Sequence, residues 1–196
     1  MSPAQSNPLS AEARRELLAI ARAALAAAVR GEPAPPVAGR SPELAAPCGC
    51  FVTYKNGGRL RGCIGCFTSD RPLAETVAEY ARISATQDWR FAGDPITPAE
   101  LDDIDVEISV LSPLVPIGNP LDLELGVHGI YIRRGGRSGC FLPQVATEHG
   151  MSKEQFLSEC CAGKAGLAPD AWRDPKTSVS VFTAEIVEEP RETRPR

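Results

Sequence analysis

The chain has 196 residues, enough for one sizeable domain or two small lobes sharing a core, with 43% hydrophobic and 23% charged residues. A formal net charge of −4 and a pI near 5.3 argue against a general nucleic-acid binder, which carries a concentrated positive field. No apolar run approaches the roughly 20 residues that span a bilayer, and seven irregularly spaced cysteines behind an Arg-broken N-terminal stretch fit a soluble, cytoplasmic protein with reduced thiols.

Residues 1–9 read as a disordered leader. Ser10 then caps a helix whose apolar positions Leu17, Ile20, Ala21, Ala24, Leu25 and Ala28 recur at helical spacing up to Gly31. The proline-rich run from Gly31 to Pro47 is expected to be an extended connector. Phe51–Tyr54 and Leu60–Ile64 flank Asn56-Gly57, a dipeptide that tolerates positive φ and closes hairpins, so the two segments are expected to pair. Ser69 or Asp70 is expected to cap a second helix, with Pro72 in its first turn and Leu73, Val77, Tyr80 and Ala81 as its buried stripe, ending near Ala85. Thr86–Phe91 is too polar for a core element and too aromatic for a plain linker, which marks it as a candidate site loop.

After a short helical turn at Thr97–Leu101, Ile104–Leu111 alternates apolar and polar residues as a half-buried strand does. Pro113–Pro120 is expected to be irregular. Val127–Arg133 and Cys140–Leu142 form a second expected hairpin around Gly135–Gly139, ended by Pro143. Ser152 and Gln155 make a capping box for a helix to about Cys161, and a short turn follows at Asp170–Trp172. The last strand is predicted over Val179–Val187, with Phe182, Ala184 and Ile186 on one face, in one sheet with the first hairpin and Ile104–Leu111. Residues 189–196 read as a tail. Strands arriving as hairpins with interspersed helices predict an α+β fold with a mostly antiparallel sheet flanked by helices.

The densest chemistry lies in Phe51–Cys66. Cys63 is the candidate nucleophile or acid/base thiol, and Arg61, two residues away on the same face of a regular strand, would stabilise its thiolate. The bland alternative is a small buried hydrophobe. Gly62 and Gly65 flank this position, and a glycine inside a strand marks a bulge or a close approach to the backbone. Cys63-x-x-Cys66 with Cys48 and Cys50 raises a zinc knuckle or redox pair, but C-x-C spacing upstream and a strand context fit neither, so no metal is expected. His128 is a candidate proton relay, against a plain structural histidine. Arg90, between Trp89 and Phe91, could clamp an anionic substrate through its planar fork. No phosphate loop, dinucleotide fingerprint or H-E-x-x-H run is present, so no cofactor is expected.

Leu60-Arg61-Gly62-Cys63-Ile64-Gly65 resembles the hallmark of the AMMECR domain family. The surrounding blocks agree: Phe51-Val52-Thr53, Ser84-Ala85-Thr86-Gln87-Asp88 with Arg90-Phe91, Val106–Leu111, Leu142–Val145, Lys164–Leu167 and Phe182–Ile186. The resemblance implies one α+β domain over residues 10–188, built of two unequal lobes with the hexapeptide at a cleft between them. It also implies the AmmeMemoRadiSam setting, in which such a domain accompanies a Memo-type protein and a radical SAM protein. The leading expectation is a cleft enzyme, or an enzyme component, using Cys63 with Arg61, Arg90 and the Gly62 and Gly65 backbone on an anionic small molecule or modified peptide. The alternative is a non-catalytic protein-interaction module.

Overall fold

The structure is a computed structural model and describes residues 8–37 and 39–189. In chain order its elements are α1 (Ala11–Arg30), β1 (Cys50–Asn56), β2 (Arg59–Cys66), α2 (Leu73–Thr86), β3 (Ile104–Leu111), β4 (Val115–Pro116), β5 (Gly129–Arg134), β6 (Arg137–Phe141), α3 (Pro143–Glu148), α4 (Lys153–Gly163), β7 (Ser178–Phe182) and β8 (Ala184–Glu188). The fold is α+β with largely antiparallel sheets, as the hairpin pattern implies. Most of the expected leader and tail lies outside the described residues.

The described residues divide into two compact units, residues 112–184 and residues 8–111 with 185–189. The larger unit carries the sheet β2-β1-β3-β8 under α1 and α2. Ser10 Oγ accepts the Ala13 N–H at 3.2 Å, and Gly31, at φ 69°, closes the C-terminus of α1 in the left-handed conformation. Between these caps, Ala13, Leu17, Ala21, Ala24 and Leu25 form the buried stripe. Its many alanines cost little side-chain entropy and let α1 lie close to α2. Cys50, Val52 and Tyr54 of β1 and Ile104, Val106 and Ile108 of β3 supply the sheet side of the core. The buried Tyr54 hydroxyl donates to Ala81 O at 2.9 Å, which ties β1 to the middle of α2.

The smaller unit carries the sheet β4-β7-β5-β6 with α3 and α4. Ile130, Ile132, Val179 and Val181 meet Phe156, Leu157 and Cys160 of α4, and Phe141 stacks on Phe156 at 5.5 Å. The Ser152 and Gln155 capping box is present at the start of α4. No helix of the described residues is long and apolar enough to cross a membrane.

Five expectations change. Pro113–Pro120 is not wholly irregular, because Val115 and Pro116 form β4 and pair antiparallel with Val181 and Ser180 of β7. The final strand is not continuous: β7 and β8 lie in different sheets, and the single-sheet expectation for Val179–Val187 fails. The break sits at Thr183, whose N–H donates to Ser112 Oγ at 2.9 Å and whose carbonyl accepts the Ser112 N–H at 2.9 Å, so neither group pairs with a neighbouring strand. It also resets the alternation, leaving Phe182 and Val187 buried and Ile186 exposed. Pro72, not Ser69 or Asp70, occupies the N-cap of α2, while Ser69 Oγ meets Thr76 Oγ1 at 2.9 Å. Pro143 does more than end β6: it opens α3, where a missing N–H is no loss. The Gly31–Pro47 connector contains a short 3-10 turn over Pro42–Ala45 that buries Leu44.

Candidate functional site

The local fold around Cys63 begins with the β1–β2 register. Thr53 faces Cys63 and Tyr54 faces Gly62, but Lys55 faces Leu60, so Arg61 is the extra residue of a bulge. That bulge breaks the alternation that would place Arg61 beside Cys63. The Arg61 side chain, 3% exposed, instead reaches Asp94 Oδ2 at 2.8 Å, Glu100 Oε2 at 3.2 Å and Pro95 O at 3.1 Å. Its Nε lies 3.2 Å from Glu100 Oε1 but off the hydrogen-bonding direction. Burial works against the guanidinium charge, and the two carboxylates outweigh it, so the Arg61 pKa rises. Arg61 therefore fastens the 94–100 loop to β2.

The two glycines are explained by the protein's own backbone. A Cβ on Gly62 would fall 2.2 Å from Ser84 O, and one on Gly65 would fall 2.1 Å from Cys50 O. Because Gly62 lets the end of α2 come close, the Ser84 hydroxyl reaches the β1–β2 ladder, accepting the Ile64 N–H and lying 2.9 Å from Val52 O as donor. The same approach brings Asp88, just past α2, against β2.

Asp88 organises the site. Its carboxylate, 3% exposed, accepts the Cys63 N–H at 2.9 Å and two bonds from the Arg90 guanidinium, at 2.8 Å from Nε and 2.6 Å from Nη2. Burial alone would raise its pKa. Arg90 and the Cys63 N–H prevail, and the carboxyl is held below its ordinary value. Arg90 Nη2 also donates to Cys63 O at 3.0 Å, and Asp88 raises the Arg90 pKa most, with the Cys63 side chain adding to it. The half-buried Cys63 Sγ accepts a bond from Thr53 Oγ1 at 3.2 Å. Trp89, between Asp88 and Arg90, stands 84% exposed.

Cys63, Gly62, Gly65 and Arg90 are thus brought together, with Arg61 one bulge away and directed elsewhere. His128 belongs to the smaller unit, where its Nδ1 accepts the Glu124 N–H at 3.0 Å in a local turn. Cys63 and Cys66 are three residues apart on one strand and point to opposite faces. Among the described residues no group of three or more His, Cys, Asp or Glu is placed to hold a metal ion. Two concavities of the larger unit, of about 410 Å³ beside Lys55, Asp105 and Glu107 and about 340 Å³ between α1 and α2, are not lined by Cys63. Sequence reasoning flagged the Thr86–Phe91 loop but assigned nothing to Asp88, Ser84 or Thr53. The available signal was Asp88-x-Arg90 just beyond a helix, a spacing at which a carboxylate caps the following turn and holds the arginine.

A protein of Methanothermobacter thermautotrophicus is 43% identical over 189 residues, covering 93% of this chain and 97% of its own. Protein TK0174 of Thermococcus kodakarensis is 45% identical over 157 residues, covering 75% of each chain. The crystal structure of an uncharacterized protein, PH0010 from Pyrococcus horikoshii, superposes with a TM-score of 0.81 at 38% identity, covering 96% of both chains. The AMMECR1 family model matches residues 18–187, and the chain belongs to the AMMECR1 family.

Proposed function

We propose that this AMMECR1-family protein is an enzyme, or the substrate-handling component of one, that uses the Cys63 thiol on an anionic small molecule or modified peptide. The observation that carries this reading is the setting of Cys63. A half-buried sulfur receives the Thr53 hydroxyl, and the Arg90 guanidinium is fixed beside it by Asp88. A hydroxyl donated to a sulfur, with a guanidinium bonded to the carbonyl of the same residue, favours negative charge on that sulfur and nucleophilic attack by it. Arg90 is 42% exposed, and its Nη1, which makes none of the bonds to Asp88 or Cys63, is the group that can meet a carboxylate or phosphate. Arg61 acts from behind, holding the loop that supports β2. Native protein treated with a limiting thiol-reactive probe, then mapped by mass spectrometry, tests the reading: Cys63 should be labelled first of the seven cysteines.

A second reading rests on Trp89. A large aromatic 84% exposed on a turn pinned by Asp88 is the kind of anchor that partner proteins bury. On this reading Gly62 and Gly65 preserve a backbone shape, and the partners are a Memo-type protein and a radical SAM protein. Binding assays with those two proteins separate the readings, since Trp89→Ala would abolish association while leaving Cys63 labelling intact.

A further inference from the structure

The structure points to a second thiol site, independent of Cys63: we propose that Cys50 and Cys66 form a reversible cross-strand disulfide when the protein meets hydrogen peroxide. The two are Cα partners across the β1–β2 ladder. Directly opposed residues of antiparallel strands lie about 4.5–5.5 Å apart at Cα, inside the span of about 4.4–6.8 Å that a disulfide bridges. Cys66 shares the core-facing side of the hairpin with Cys50, Val52 and Tyr54. The Tyr80 hydroxyl meets the Cys66 side chain there, its pKa pushed up to about 12 first by burial and then by that contact.

The neighbouring thiols are directed elsewhere. Cys48 Sγ donates to Leu111 O at 2.8 Å, toward β3, and Cys63 Sγ lies on the other face of β2 with Thr53. Exposure assigns the order of events. Cys66 is partly exposed and Cys50 fully buried, so the oxidant enters at Cys66 and Cys50 resolves it.

The Cys66 sulfur attacks a peroxide oxygen, the O–O bond breaks, and a sulfenic acid and one water result. The Cys50 sulfur then attacks the Cys66 sulfur, the S–O bond breaks as the S–S bond forms, and a second water leaves. Two thiols supply the two electrons that reduce one peroxide to two waters. Burial pushes the Cys50 thiol far up, so this second step is the slow one. The product closes the open end of the hairpin three residues beyond Cys63.

The test exposes the native protein to hydrogen peroxide, blocks remaining thiols after denaturation, and maps peptides. A Cys50–Cys66 linked peptide is expected, with its two thiols recovered on adding a dithiol reductant, and oxidation at Cys63, which lies on the other face of β2, is scored separately. Cys66→Ala should leave Cys50 as a free thiol after peroxide and Cys48→Ala should leave the linkage intact, so the outcome does not depend on a variant of the buried Cys50. A Cys48–Cys66 bond, an intermolecular bond, stable oxidation of Cys66 without a linkage, or no loss of thiols overturns the proposal.

Discussion

The Asp88 carboxylate accepts the backbone N–H of Cys63 at 2.9 Å while holding Arg90, so one buried group joins the strand that carries the thiol to the turn that carries the guanidinium. Its folded-state pKa is depressed, against the opposing effect of burial, by Arg90 and by that N–H. A depressed carboxyl contributes stability that is fully present above its unfolded pKa of about 3.9 and lost as pH falls through the lower folded value. Asp88→Asn should therefore be less stable than wild type at pH 7, with the difference shrinking below about pH 4. Urea unfolding of both proteins across that range measures it. A pH-independent difference would contradict the assignment.

Arg61 is a structural residue in this geometry, buried against Asp94 and Glu100. Arg61→Met should cost about 1–3 kcal/mol, the lower part of that range being favoured because Asp94 is 55% exposed and keeps its solvent. The rate at which Cys63 alkylates should stay within about twofold of wild type, since a guanidinium directed away from the sulfur contributes little to its charge. A large rate loss in folded Arg61→Met protein would restore the pairing expected from a regular strand.

The glycines of the hexapeptide yield a stability prediction. An added methyl at Gly62 or Gly65 meets backbone atoms that have no rotamer by which to yield. Gly62→Ala and Gly65→Ala should each cost about 1–3 kcal/mol or more by denaturant unfolding. Gly93→Ala, where a Cβ meets nothing within 4 Å, is the control and should stay within about 0.5 kcal/mol.

Local chemistry made much of this fold legible before any coordinates. The Asn56-Gly57 hairpin, the Ser10 cap with its alanine stripe and the Ser152 and Gln155 capping box all follow from groups close in sequence. Failures occurred where a distant residue decided the outcome. Nothing in Val179–Val187 announces that Ser112, far away in the chain, will take both backbone groups of Thr183 and split the strand. The same limit affected the site. Arg61 and Cys63 satisfy the strand rule for a shared face, but a one-residue bulge and the carboxylates of Asp94 and Glu100 redirect the arginine. Arg90 was legible as a candidate, whereas its attachment to Cys63 through Asp88 depended on how closely α2 approaches Gly62.

The central claim is that Cys63 is a reactive thiol supported by Arg90 and Thr53. Native alkylation rates at Cys63, compared in wild type, Arg90→Met and Thr53→Val at neutral pH with a thermal melt of each, test it most directly. Wild-type Cys63 should react faster than free cysteine, and Arg90→Met should slow it by roughly three- to tenfold in protein that still melts cooperatively, with a smaller loss in Thr53→Val. A Cys63 that reacts no faster than free cysteine, or at a rate indifferent to Arg90, contradicts the nucleophile reading and leaves the interaction module in its place.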